Sequence, residues 1–112
     1  MAERLFLLNP DWRDDQGGPW FCPAGAYIEG VLAFYPRLRA DLDVVYLDHA
    51  RPRPPVIEQV GAAHQSCPIL VLDEQMDWSD AQVSETTGKR FLLDHAIAPY
   101  LEARYGVGRP HP

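Results

Sequence analysis

Short apolar runs, separated by polar and proline-rich stretches, divide the chain into candidate strands. Four such runs predict buried strands, at residues 4–8, 44–47, 69–72 and 90–92. Because these runs are short and largely unbroken by polar residues, they are typical of strands that are covered on both faces. The sequence therefore predicts a central sheet flanked by helices.

Three other segments have apolar residues spaced at three and four positions, as in amphipathic helices. The first spans residues 23–35 and stops before Pro36, which cannot continue a helix. A short second helix covers residues 56–60. The third follows Asp94 and closes at Gly106, a residue type that often ends helices.

The predicted order of elements is strand, helix, strand, helix, strand, strand, helix. A helix between the first two strands predicts a parallel βαβ unit, and the last two strands are expected to form a hairpin. The fold class is therefore α/β, with a four-stranded mixed sheet. Residues 9–21 and 73–88 are polar and are interpreted as loops. The whole chain, 1–112, is expected to form one domain with a core at about 4–106 and a frayed tail.

The composition is that of an acidic globular protein. The 112 residues carry a formal net charge of −6 at pH 7, and 46% of them are hydrophobic, which suffices for a packed core. The acidic balance argues against nucleic acid or an anionic membrane as a partner, because phosphate recognition needs a basic face. No apolar run approaches the roughly 18 residues that span a membrane. A cytoplasmic location with reduced thiols is expected, and a homodimer stays open.

Cys22 is the first candidate for chemistry, because it directly precedes the first residue of the first helix. Unpaired N–H groups and the positive end of the helix dipole favour the thiolate at such a position. The competing interpretation is a buried, inert thiol that only fills space, as many free cysteines do.

Two short motifs carry a resemblance to known proteins. Phe21-Cys22-Pro23 opens the first helix and Cys67-Pro68 opens the third strand. With the order of elements, they make nearly the whole chain similar to the thioredoxin superfamily. It resembles the glutaredoxin-like branch and the N-terminal domain of glutathione transferases. In more detail it resembles a small bacterial thioredoxin-like family of uncharacterised function, through the helix segment 28–32 and the loop 51–53.

The resemblance implies that Cys22 is the nucleophile and that Pro68 follows a cis bond. It also implies that Cys67 lies beside Cys22. The second thiol of the usual Cys-x-x-Cys motif is missing, because Gly25 holds its position. Three roles for Cys67 stay open: a resolving thiol that pairs with Cys22, a ligand of a soft metal or iron–sulfur cluster, and an inert buried residue.

The resemblance further implies a groove for glutathione or a peptide, bordered by Pro23 and Pro68. Arg51 and Arg53 follow the second strand and are candidates to hold a carboxylate of glutathione; solvated charges are the alternative. Leu93 and Asp94 stand at the two positions that hold the γ-glutamyl group of glutathione in the transferases, and of the two Asp94 is the candidate to meet its ammonium group. Aromatic residues of the 9–27 region are expected to rim the groove or to pin the loop to the core: Trp20 above all, with Trp12, Phe21 and Tyr27.

The expected function is that of a monothiol thiol–disulfide oxidoreductase-like protein, with glutathione as a candidate co-substrate and no resident cofactor or metal. Its partner would be a protein disulfide or a small thiol or disulfide. The alternative is a non-catalytic thioredoxin-like module that binds a partner or a small ligand in the same groove.

Overall fold

A mixed sheet of five strands forms the centre of the computed structural model, which describes residues 2–112. In spatial order its strands are β4 (Leu42–Leu47), β1 (Glu3–Leu8), β5 (Ile69–Val71), β7 (Arg90–Leu93) and β6 (Gln82–Val83). β1 runs parallel to β4 and antiparallel to β5. β7 runs antiparallel to both β5 and β6. The parallel pair and the antiparallel pair predicted from the sequence are therefore both present.

The other elements are a second, two-stranded sheet and four helices. The sheet is a hairpin of β2 (Trp12–Asp14) and β3 (Gly17–Trp20). The helices are α1 (Pro23–Phe34), α2 (Leu38–Asp41), α3 (Pro54–Val60) and α4 (Ile97–Tyr105), the last preceded by a 3-10 turn at Asp94–Ala96. Among the helices of residues 2–112, none is long and apolar enough to cross a membrane.

The central sheet is covered on both faces, which explains the unbroken apolar run of β1. Successive side chains of a strand point to opposite faces. Leu5 and Leu7 enter a core cluster with residues of α1 and α4, whereas Phe6 enters a second cluster with Val56 and Val60 of α3. The chain therefore has two apolar layers, and β1 contributes to both.

The sheet has five strands where the sequence predicts four, and residues 9–21 contain a hairpin where it predicts a loop. β6 is only two residues long and both are exposed, so it leaves no apolar pattern. The hairpin is mostly exposed and rich in Gly and Pro, and such residues indicate turns rather than strands. The four-residue α2 is too short for a periodic signal.

A buried carboxylate ties the first strand to the last helix. Glu3 is 2% exposed and accepts hydrogen bonds from the hydroxyls of Tyr100 and Tyr105, each at 2.6 Å. It also accepts the backbone N–H of Asp73 at 2.8 Å and pairs with Arg104 at 3.0 Å. These donors offset the free-energy cost of burying the carboxylate.

The turn between β6 and β7 caps the C-terminal end of α3. The hydroxyl of Ser84 donates to the carbonyl of Val60 at 2.8 Å, and that of Thr87 donates to the carbonyl of Gln59 at 2.7 Å. The last carbonyls of a helix have no partner within the helix, so these two hydroxyls satisfy them. The segment 73–88, interpreted as a polar loop from the sequence, thereby supports α3.

Candidate functional site

The main candidate site is a groove at the carboxyl ends of β1 and β4, where the N-terminus of α1 meets the loops before α3 and β5. Its volume is about 300 Å³. Both thiols, both arginines of the predicted loop and two aromatic rings line it, the full set being Leu8, Trp12, Cys22, Pro23, His49, Arg51, Arg53, Ser66, Cys67 and Asp94. Residues from five separate parts of the sequence therefore converge here.

Cys22 is the N-cap residue of α1, with an extended backbone, and Pro23 is the first residue of the helix. Its sulfur accepts a hydrogen bond from the backbone N–H of Gly25 at 3.4 Å. Side chains at the N-cap normally accept such a bond through oxygen; here a sulfur takes that place. The cysteine therefore sits among the unpaired N–H groups of a helix start, as the sequence predicts.

Cys67 lies on the other wall of the groove, and the bond from Cys67 to Pro68 is cis. The Cys22 thiol donates toward the carbonyl oxygen of Cys67 across 3.9 Å, although the residues are 45 positions apart. Both cysteines are free thiols. Burial raises the pKa of Cys67 to about 11, and the charges of Arg53 and Arg51 oppose that rise. At neutral pH Cys67 is therefore a protonated thiol.

The two arginines predicted to hold a carboxylate have different environments. Arg51 is exposed at the edge of the groove, where its guanidinium can reach a ligand. Arg53 is 5% exposed, and its guanidinium donates to the backbone carbonyls of His49 and Gln65. Of the pair, Arg51 alone is free to approach a bound molecule from solvent.

Asp94 and the two prolines frame the site. Asp94 is exposed, lines the groove and has a positive φ of 48°. Its backbone N–H donates to the carbonyl of Pro68 at 3.2 Å. Pro23 also lines the groove, whereas Pro68 is buried behind it. Asp94 and Pro23 are therefore open to a ligand, and Pro68 shapes the wall that carries Cys67.

Trp20, which the sequence suggests as the main aromatic residue at the rim of the groove, lies outside it. Trp12 lines the groove instead. The Trp20 indole N–H donates to Asp14 at 3.0 Å within the hairpin, and the residue is 40% exposed. Trp12 stacks on the ring of His49, with the ring centres 4.5 Å apart and the planes at 5°. The hairpin therefore contributes one aromatic wall, built from Trp12 and His49.

Sequence reasoning missed His49 and Ser66 as residues of the site. His49 follows β4, and the carboxyl ends of parallel strands meet at one edge of a sheet. Because the sequence predicts β1 and β4 as a parallel pair joined by α1, the residues that follow β4 are candidates for the same edge as the start of α1 on position alone. Ser66 adjoins Cys67 and shares its wall.

The arrangement combines a thiol at a helix start, a second thiol and cationic side chains in one open groove. Such a site can attack a disulfide and hold an anionic group beside it. Within residues 2–112, no three His, Cys, Asp or Glu side chains are placed so that they could hold a metal ion.

A family model described as "Protein of unknown function (DUF3088)" matches residues 2–109. No curated protein and no solved structure matches the chain. The match covers every element of the fold and every residue of the groove.

Proposed function

The chain belongs to the DUF3088 family, and we propose that it acts as a monothiol thiol–disulfide oxidoreductase with Cys22 as nucleophile. The observation that carries the proposal is the hydrogen bond from the Gly25 N–H to the Cys22 sulfur at the start of α1. An N–H donor and the helix dipole both favour a negatively charged sulfur. The thiolate is the form of cysteine that attacks disulfides.

The proposed reaction is a thiol–disulfide exchange. The Cys22 thiolate attacks one sulfur of a substrate disulfide, forms a mixed disulfide with it and releases the other sulfur as a thiolate. A second thiol then attacks the mixed disulfide and frees the bound half. Glutathione or Cys67 can supply that second thiol.

The order and pairing of the elements support a thioredoxin-like fold for this chain. β1, α1 and β4 form the parallel unit, and β5, β7 and α4 follow as the antiparallel half. Cys67 enters β5 through a cis bond to Pro68 and faces Cys22. These are the features that the sequence resemblance implies.

The charges of the groove favour a substrate that carries a carboxylate. Arg51 is exposed at its edge, in a chain whose formal net charge is −6. An arginine pairs well with a carboxylate because its guanidinium can donate two parallel hydrogen bonds. Asp94, which also lines the groove, suits an ammonium group. Glutathione has both groups beside its sulfur and is the proposed co-substrate.

The alternative is a non-catalytic module that binds a partner or a small ligand in the same groove. Two observations favour it. Gly25 stands where many thioredoxin-like proteins have the resolving cysteine, and the raised pKa of Cys67 leaves that thiol protonated at neutral pH.

Incubation with glutathione disulfide, followed by intact-mass measurement, separates the two functions. We expect one glutathionyl group on Cys67→Ser and none on Cys22→Ser; the wild-type chain should carry one glutathionyl group or, where Cys67 resolves it, a Cys22–Cys67 disulfide that is two mass units lighter than the dithiol. The Cys67→Ser variant is the matched control, because it removes the other thiol of the same groove. Glutathione binding without a covalent adduct would support the binding module instead.

A further inference from the structure

A second cavity lies between α1, α4 and the C-terminal tail. Its volume is about 570 Å³, which is larger than the groove at Cys22 and within the range of sites that bind small organic molecules. The residues that line it come from three elements. Tyr27 belongs to α1, Ala98 and Pro99 belong to α4, and Pro110 belongs to the tail.

The tail packs against the two helices, so the cavity has a defined third wall. Val107 is buried in the core. Gly108 lies so close to the hydroxyl of Tyr35 that an added methyl group would collide with it. Arg109 pairs with Glu102 of α4, with 3.8 Å between their nitrogen and oxygen atoms.

The cavity and the thiol groove lie along the same junction of α1 with the start of α4. Pro23 lines the groove, and Tyr27, four residues later on α1, lines the cavity. Residues four apart share one face of a helix. Asp94 lines the groove, its neighbour His95 lines the cavity, and the turn that holds both contacts α1. The cavity therefore lies about one helical turn, about 5.4 Å, beyond the groove.

The surface of the cavity is mostly apolar and rich in rings. Four of its seven lining residues carry a ring: Tyr27, His95, Pro99 and Pro110. Its acidic and basic side chains, Glu102 and Arg109, pair with each other, so neither charge calls for an opposite charge on a ligand. Flat apolar walls around a neutralised ion pair suit an uncharged aromatic group.

We propose that this cavity receives the aromatic half of the disulfide substrate, and that the substrate class is a mixed disulfide of glutathione with an aromatic thiol. This inference rests on the proposed function, in which the groove holds glutathione and Cys22 attacks. One helical turn is comparable to the reach of a benzyl group from its sulfur. With glutathione in the groove, the other half of the disulfide would therefore extend into the cavity.

The reaction balances without a further oxidant. The Cys22 thiolate attacks the glutathione sulfur, a bond forms between these two sulfurs, and the S–S bond of the substrate breaks. The aromatic thiol leaves as a thiolate with the electron pair of that bond and takes a proton from water. The thiolate of a second glutathione then attacks the bound glutathione sulfur, which releases glutathione disulfide and restores the Cys22 thiolate.

The test compares two disulfides of glutathione, one with benzyl mercaptan and one with mercaptoethanol. Their glutathione halves are identical, and only the benzyl compound carries an aromatic ring. Each kcat/KM is divided by the rate of free cysteine with the same disulfide, which removes the intrinsic reactivity of the bond. The wild-type chain should favour the benzyl disulfide about tenfold, as expected for partial burial of one ring.

A charge inside the cavity should abolish this preference. Ala98→Asp places a carboxylate there, in the first turn of α4, where the helix dipole favours an acidic residue. The ratio of the two normalised rates should fall to about one. Ala103→Asp is the matched control and should keep the ratio, because Ala103 is an exposed residue of the same helix outside the cavity. Equal normalised rates in the wild type, or an unchanged ratio in Ala98→Asp, would overturn the inference and leave the proposed function standing.

A binding measurement on the wild-type chain needs neither turnover nor a variant. S-benzylglutathione, a thioether that cannot exchange, should shift the backbone NMR signals of Tyr27 and Ala98, whereas S-methylglutathione should leave them in place. The same shifts with both compounds, or none at these residues, would contradict the inference even if Ala98→Asp fails to fold. A chain that exchanges neither disulfide would overturn the proposed function instead.

Discussion

The Cys22 thiol donates toward the carbonyl oxygen of Cys67 across 3.9 Å, while the same sulfur accepts the backbone N–H of Gly25 at 3.4 Å. The two contacts favour opposite protonation states. A carbonyl oxygen accepts the proton of a thiol and repels a thiolate, whereas an N–H stabilises a thiolate. The reactivity of Cys22 therefore depends on which contact dominates.

The first prediction concerns the donor at Gly25. Gly25→Pro removes the N–H that donates to the Cys22 sulfur and puts a ring carbon in the place of its hydrogen, so that the sulfur must turn away from the helix start. We expect alkylation of Cys22 by iodoacetamide at neutral pH to slow by about three- to tenfold, the weight of one hydrogen bond to a charged group. Gly25→Ala is the control, because it keeps the N–H and its methyl group would meet Cys22 only at 3.4 Å and beyond. Equal rates in both variants would contradict the assignment.

The second prediction concerns the aromatic wall. Trp12 stacks on His49 and lines the groove, whereas Trp20 of the same hairpin lies outside it. Trp12→Ala should slow the reaction with glutathione disulfide by about fivefold, the value of one aromatic contact of about 1 kcal/mol. Trp20→Ala should leave that rate within about twofold. A stronger effect of Trp20→Ala than of Trp12→Ala would show that the rate depends on the hairpin as a whole and not on the aromatic wall of Trp12 and His49.

The third prediction compares two glycines that both have a positive φ. Gly61, at the C-cap of α3, has φ 87° and Gly88 has φ 75°. A methyl group at Gly61 would collide with the hydroxyl of Thr86, whereas one at Gly88 would meet nothing. Gly88→Ala should lower the free energy of unfolding by about 1 kcal/mol through backbone strain alone. Gly61→Ala should lower it by about 2–4 kcal/mol, because overpacking adds to that strain.

Urea unfolding of the two alanine variants and the wild type measures the difference. If both lose the same stability, the Thr86 hydroxyl gives way to the added methyl group, and overpacking does not add to the backbone strain at Gly61.

The fourth prediction concerns alkaline pH. Burial and the hydrogen bond to Glu3 raise the pKa of Tyr105 from 10.0 to about 12. A raised pKa in the folded state means that the contribution to stability is complete below about pH 10 and is lost as the pH approaches about 12. Tyr105→Phe should be less stable by about 1–2 kcal/mol at pH 7 and should approach the parent near pH 12.

Both chains in that comparison should carry Cys67→Ser. The thiol of Cys67, whose pKa burial raises to about 11, would otherwise titrate in the same window. A stability difference that stays constant from pH 7 to about pH 12 would show that the Tyr105 hydroxyl does not donate to Glu3.

The sequence predicts the large, apolar part of this fold and misses its small, polar part. The four main strands and the helices α1, α3 and α4 have enough apolar residues for a periodic pattern. β6, α2 and the hairpin at 12–20 are short or exposed, and tertiary contacts rather than local preference decide their conformation.

The same division holds for the candidate site. The helix-start position of Cys22 follows from a local signal, since a proline marks the first turn of α1. The different burial of the two arginines does not follow from a local signal, because Arg51 and Arg53 are the same residue type and have similar neighbours in sequence. The fold brings the carbonyls of His49 and Gln65 to the guanidinium of Arg53, and these hydrogen bonds compensate for its burial.

The carboxylate of Glu3 has a consequence for a nascent chain. Its two tyrosine donors lie 97 and 102 positions later, so a growing polypeptide cannot satisfy this buried group until α4 has been synthesised. Until then β1 carries an acid without those hydroxyls, and water is the better solvent for it. Strand β1 is thus translated well before the hydroxyls that secure its carboxylate, and the groove at its carboxyl end is not complete until Asp94 has been synthesised.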